Sequence, residues 1–158
     1  MNLAFKILSI LCLSITSMIV SAQSSDNAGL IGANQKKYEN ANVVYKTQLL
    51  EVCNNDLDSA YTVWISVLND FEKYAESSNF DVKGLKLWIH VFVQNGKIKE
   101  LYFHPKPNCR NTDFKKVEDL FEKFISVYNF PIQSSEKFNH YGSASFPVFS
   151  VRVNINEK

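Results

Sequence analysis

The chain has 158 residues, with 17 Lys or Arg against 16 Asp or Glu, and its 46% hydrophobic composition includes 12 Phe and 7 Tyr. That composition excludes a disordered chain, and the balanced charge gives no case for nucleic acid or an anionic membrane surface, since both need clustered basic side chains. Arginine occurs only at Arg110 and Arg152, so bidentate phosphate or carboxylate clamps are scarce.

Residues 1–22 read as a signal peptide. Lys6 is its only charge, Ile7 to Val20 form an apolar run broken by Ser and Thr, and Val20-Ser21-Ala22 places small residues where a signal peptidase reads. Cleavage after Ala22 would deliver the chain to the periplasm or the exterior. The apolar run is shorter than the ~20 residues of a spanning helix, so an uncleaved anchor is the weaker alternative. No transmembrane segment is expected in the mature chain. Removal of the leader leaves 136 residues, 16 basic and 16 acidic side chains, and two cysteines, Cys53 and Cys109. In an oxidising compartment that pair most simply forms one disulfide, closing a loop of about 57 residues with roughly 4 kcal/mol of stabilisation. Two separate thiols are the alternative.

Residues 23–40, rich in Ser, Asn, Gly and Lys, read as a mobile N-terminal segment. Residues 41–158 form the single domain. Ala41–Cys53 is open between strand, favoured by Val43, Val44 and Tyr45, and helix, favoured by Gln48 to Glu51. A clear amphipathic helix follows. Asn54 to Asp56 offer caps, and Leu57, Ala60, Tyr61, Trp64, Val67, Leu68, Phe71, Tyr74 and Ala75 recur at helical steps. The stripe around Trp64 and Phe71 reads as core in preference to a ligand wall.

Leu85–Gln94 and Ile98–His104 form a hairpin turning at Asn95-Gly96. A two-residue turn would pair Val91 with Glu100 and His90 with Leu101, mixing polar and apolar side chains on both faces. A three-residue loop with Gly96 in a left-handed position pairs Leu87 with Phe103, Ile89 with Leu101 and Val91 with Lys99. Its other face pairs Trp88 with Tyr102, His90 with Glu100 and Phe92 with Ile98. This register is expected, because it separates an aliphatic face from an aromatic-polar one.

After Pro105 and Pro107, Asn111 or Thr112 should cap a second helix over about Asp113–Tyr128, with Phe114, Val117, Leu120, Phe121, Phe124 and Val127 buried. Asn129–Ser145 reads as loop-like around Pro131 and Gly142, and the stretch His140–Pro147 as a strand approach or a loop that could carry recognition. Val148–Ile155 alternates as a last strand, with Phe149, Val151, Val153 and Ile155 inward. The expected fold class is α+β: an antiparallel sheet of the hairpin and the C-terminal strand, packed against two amphipathic helices.

The search for chemistry yields little. His90 and His104 are too far apart along the sheet for one zinc ion, His140 lies elsewhere, and no Gly-rich phosphate loop, G-x-S-x-G elbow or H-E-x-x-H helix is present. No catalytic residue, metal or cofactor is expected. The candidate binding surface is the aromatic-polar sheet face of Trp88, His90, Phe92, Glu100 and Tyr102, which would mark a partner surface if uncovered. The N-terminal segment could cover it instead.

The stretch Gly84–Ile155 resembles the C-terminal periplasmic domain of TonB-type proteins. The resemblance rests on Gly84-Leu85-Lys86-Leu87-Trp88-Ile89, on Val91-Phe92-Val93-Gln94-Asn95-Gly96-Lys97-Ile98, and on Phe130-Pro131 after the helix. The family's Tyr-Pro box before the first helix and its Pro-rich spacer are missing. The resemblance implies a small envelope or secreted module whose sheet edge pairs with a partner strand. Taken with the failed search for catalytic groups, it makes the expected function a non-enzymatic interaction module exported by a bacterium, with another envelope or secreted protein as its partner. The competing expectation is a small-ligand carrier or enzyme with a pocket around His90, Glu100 and Tyr102.

Overall fold

The computed structural model describes residues 27–149. The leader and the greater part of the expected strand Val148–Ile155 lie outside the described residues. Within them the order is β1 (Ala28–Leu30), α1 (Gln35–Val44), β2 (Thr47–Gln48), α2 (Leu49–Val52), α3 (Leu57–Ser77), β3 (Lys86–Gln94), β4 (Lys97–Pro105), α4 (Phe114–Val127) and β5 (Phe138–Ser145).

The class is α+β, but the sheet is mixed. Its order is β1-β4-β3-β5-β2: β3 is antiparallel to β4 and β5, while β1 runs parallel to β4 and β2 parallel to β5. The parallel edges come from the segment read as mobile and ambiguous. From Ala28 onward that segment is built into the fold, and Ala41–Cys53 contains helix, strand and helix in turn.

The hairpin corrects the expected register. Asn95 and Gly96 both have positive φ, 53° and 66°, and form a two-residue turn with Gln94 opposite Lys97. A bulge follows between Phe92 and Val93: Val93 pairs with Ile98 and Phe92 with Glu100, so Lys99 is the extra residue. Beyond it Ile89 pairs with Phe103 and His90 with Tyr102. Each pair is displaced by two residues from the expected one, and a two-residue shift preserves the faces. Leu87, Ile89, Val91, Leu101 and Phe103 all enter the main core as expected. Ile98 changes sides and joins them.

α3 and α4 cover this face. Asp56 caps α3, its carboxylate accepting from the Asp58 and Ser59 amides at 3.0 and 3.4 Å. Asp113, a residue beyond the expected caps, begins α4 by accepting from the Lys115 amide at 3.1 Å. Phe71 stacks on Phe121 with ring centroids 4.5 Å apart, joining the two helices over the sheet. Leu57 and Val127, at the ends of the expected stripes, are exposed.

The expected loop Asn129–Ser145 contains β5, which lies inside the sheet between β3 and β2. The cysteines are free. Cys53 is buried at the end of α2, where burial and the Asp56 charge raise its thiol pKa. Cys109 is half-buried in the β4–α4 connection, its Sγ accepting from the Lys86 amide at 3.3 Å. Each sulfur has separate surroundings, so no bridge joins the two.

Candidate functional site

The five residues of the aromatic-polar face share one side of the sheet, but α1 lies across most of them. Phe92 and Tyr102 are fully buried and form a second core with Ala41 and Tyr45. Tyr38 meets His90, Phe92 and Tyr102 edge-on at 5.5, 6.3 and 5.8 Å. The space in which a pocket around His90, Glu100 and Tyr102 would have to open is filled by Tyr38, Ala41 and Tyr45. Glu100 accepts the Tyr102 hydroxyl at 2.6 Å.

His90 is satisfied where it stands. The Asn139 amide nitrogen donates to the carbonyls of Tyr45 and Thr47 at 2.7 and 3.1 Å, which leaves Asn139 Oδ1 to accept from His90 Nε2 at 2.9 Å. Nε2 therefore carries the proton, and Nδ1 accepts from the Tyr38 hydroxyl at 3.2 Å. Burial lowers the His90 pKa, opposed in part by the Asn139 bond, so the ring is neutral at pH 7. It ties α1, β3 and β5 together. Trp88 is half-buried, stacked on Tyr141 at 5.6 Å, with the Lys106 ammonium 4.7 Å from its ring centroid.

The open feature is on the opposite side of β5. A groove of about 660 Å³ runs between α3 and β5, walled by Leu57, Tyr61, Trp64 and Ile65 on the helix and by His140 to Ser143 on the strand, with Val148 and Phe149 at one end. Its position follows from strand alternation. Phe138 and Ala144 point into the main core, His140 and Gly142 lie on the same face, and Asn139, Tyr141 and Ser143 point toward α1. Trp64, nearly buried, covers Gly142 and packs on His140 with centroids 4.7 Å apart. A Cβ at Gly142 would meet the indole at 2.6 Å, so only glycine admits this contact. Burial, with a smaller contribution from His90, lowers the His140 pKa to about 4. The groove floor is thus uncharged at neutral pH.

The edge of β5 beside the groove completes the site. Phe146 exchanges both backbone bonds with the β3 side, donating to Leu85 and accepting from Gly84. Alternation then turns the backbone N–H and C=O groups of Tyr141, Ser143 and Ser145 outward. Among the described residues β2 borders this edge only at Phe138 and Asn139, and no other strand lies along it. The Trp64 indole N–H donates to the Ser143 carbonyl at 3.1 Å, which supports the outward direction and leaves that oxygen a second lone pair.

The face singled out from the sequence is largely covered by α1, as the alternative reading allowed, and the groove lies on the other face of the sheet. Trp64 was legible only as core, which it also is, and Tyr61 gave no separate signal. The His140–Pro147 stretch, open in the sequence between a strand approach and a loop, holds the C-terminal part of β5. Among the described residues no three His, Cys, Asp or Glu side chains converge as metal ligands, and no helix is long and apolar enough to cross a membrane. Compared with known proteins, the chain matches no family model, no curated protein and no solved structure.

Proposed function

We propose that this protein is an exported bacterial interaction module, not an enzyme, similar in kind to the C-terminal domain of TonB-type proteins. It takes an extended segment of another envelope or secreted protein along the outer edge of β5. Main-chain bonds to Tyr141, Ser143 and Ser145 supply affinity, and alternate apolar side chains of the segment enter the groove beneath α3. The observation that carries this reading is the coincidence of outward backbone groups with an apolar groove along one strand. An edge of this kind is a template for a further strand unless something blunts it.

Tyr61 stands at the groove mouth and is 49% exposed. A photoreactive phenylalanine analogue at Tyr61 or at Ser145 should cross-link one and the same protein in cells. The analogue at Val127, exposed at the end of α4, should not. Cross-links from Val127 alone, or none from either groove position, would remove the assignment.

A further inference from the structure

The outer edge of β5 has two sides of different chemistry. On the side of α3 it borders the apolar groove. On the side of α1, strand alternation sets Lys86 and Trp88 of β3 on one surface with Tyr141, Ser143 and Ser145 of β5. Lys86 stands opposite Ser145. Lys106, whose amide donates to the Lys86 carbonyl at 2.8 Å, extends over the Trp88 ring and donates to Ser143 Oγ at 2.7 Å. Its ammonium is thus carried from the end of β4 across β3 to β5. We infer that the segment taken along this edge is acidic on one side: its groove-facing residues are apolar, and those opposite Ser143 and Ser145 are Asp or Glu. The inference rests on the reading of the edge as strand-accepting and supplies the chemistry of the partner.

Three observations point to this partner. The first is reach. Directly opposite residues of neighbouring strands have Cβ atoms about 4.5–5.5 Å apart and side chains on one face. A carboxylate opposite Ser143 therefore meets an ammonium that Ser143 and Trp88 already hold in place. A lysine there would set two ammonium groups against each other, so the same geometry rejects a basic segment. The second is charge. Among the described residues no carboxylate pairs with Lys86 or Lys106. The one acid at a strand position of this face, Glu100, stands opposite Phe92, roughly 13 Å along the sheet from Trp88, and accepts the Tyr102 hydroxyl. The third is the contrast with the groove. Its walls are apolar, and a carboxylate turned into it would be desolvated without a partner. A slip of one residue would exchange the two sides, so an alternation of apolar and acidic residues also specifies the register of the incoming strand.

The test titrates the full chain into dye-labelled octapeptides and follows fluorescence anisotropy. One peptide alternates Val with Glu, one Val with Ser and one Val with Lys. The Val–Glu peptide should bind about 10-fold more tightly than Val–Ser, and Val–Lys more weakly than either. Lys106→Gln should weaken Val–Glu binding about fivefold and leave Val–Ser binding unchanged, which reports an intact groove. Lys106→Arg should keep the preference for Glu, and so should Lys99→Gln, at the bulge of β4. Equal affinity of the parent for Val–Glu and Val–Lys overturns the inference and leaves the strand-accepting edge standing. A preference for Glu undiminished in a Lys86→Gln, Lys106→Gln double variant also overturns it, because the charge then lies elsewhere. If Lys106→Gln weakens all three peptides alike, the lysine is structural and the inference falls. Failure of every peptide to bind the parent removes the edge reading, and the inference with it.

Discussion

The two edges of the sheet are finished in opposite ways. At β1 the outward amides of Ala28 and Leu30 donate to carboxylates of α4, Glu122 at 2.6 Å and Glu118 at 3.0 Å. Those charge-assisted bonds occupy both outward amides of β1, and the two acids set negative charge beside it. At β5 no carboxylate approaches the outward amides of Tyr141, Ser143 and Ser145 among the described residues. The neighbouring helix face is largely apolar, and the Trp64 indole N–H donates to a carbonyl of β5. One edge has its outward amides tied to carboxylates, and the other, among the described residues, does not.

The largest expected effect that tests this contrast is Trp64→Ala. The indole is 5% exposed, and its removal should cost about 3–5 kcal/mol in denaturant unfolding. Trp64→Phe, which retains most of the bulk and loses the bond to Ser143, should cost far less. Equal losses would show that the hydrogen bond, not the packing, sets the groove. At the closed edge, Glu118→Ala with Glu122→Ala orphans two amides and should cost about 2–4 kcal/mol together. It should also speed exchange at Ala28 and Leu30 and leave β5 unchanged. Faster exchange at β5 as well would mean that the edges are not independent.

Gly142→Ala should destabilise by roughly 1–3 kcal/mol, since its methyl meets the indole and His140 with no void to receive it. The histidines add a pH signature. His140 has a folded pKa of about 4 against 6.5 for the unfolded chain, and His90 is shifted the same way. The unfolded state therefore binds more protons between those values, so stability is full above pH 6.5 and falls as pH drops toward 4. Denaturant midpoints across that window should fall less steeply in His140→Phe, and an unchanged slope would place the burden on His90. The smallest effect belongs to Ser143→Pro, which removes an outward amide and spares the β3 ladder. It should cost under about 1 kcal/mol yet abolish pairing at this edge. A loss of several kcal/mol would show that Ser143 bonds inward.

The sequence made the helices and the faces of the hairpin legible because those are local patterns. α3 and α4 carry long apolar stripes, and the faces of β3 survive a pairing register displaced by two residues from the expected one. β5 was hidden because Phe-Asn-His-Tyr-Gly-Ser-Ala-Ser lacks the branched residues that mark a strand. Its small residues answer to Trp64, far away in the chain. α1 was hidden because Gln-Lys-Lys-Tyr-Glu-Asn-Ala-Asn-Val-Val has no stripe. It buries only Ala41 fully, with Tyr38 packed against the second core, and that was enough to cover the face read as a binding surface. The parallel strands β1 and β2, three and two residues long, are too short to carry any period.

The strap formed by β1, α1 and β2 also bears on when the molecule assembles. Ala28 is tied to Glu122, and Tyr45 to Asn139, each 94 residues further along the chain. The first strands to leave the ribosome therefore wait for nearly the last, and closure over so long a loop comes late in folding. Only the central hairpin, with its own turn, can form early. Until α4 and β5 have been synthesised, neither of those two bonds can form.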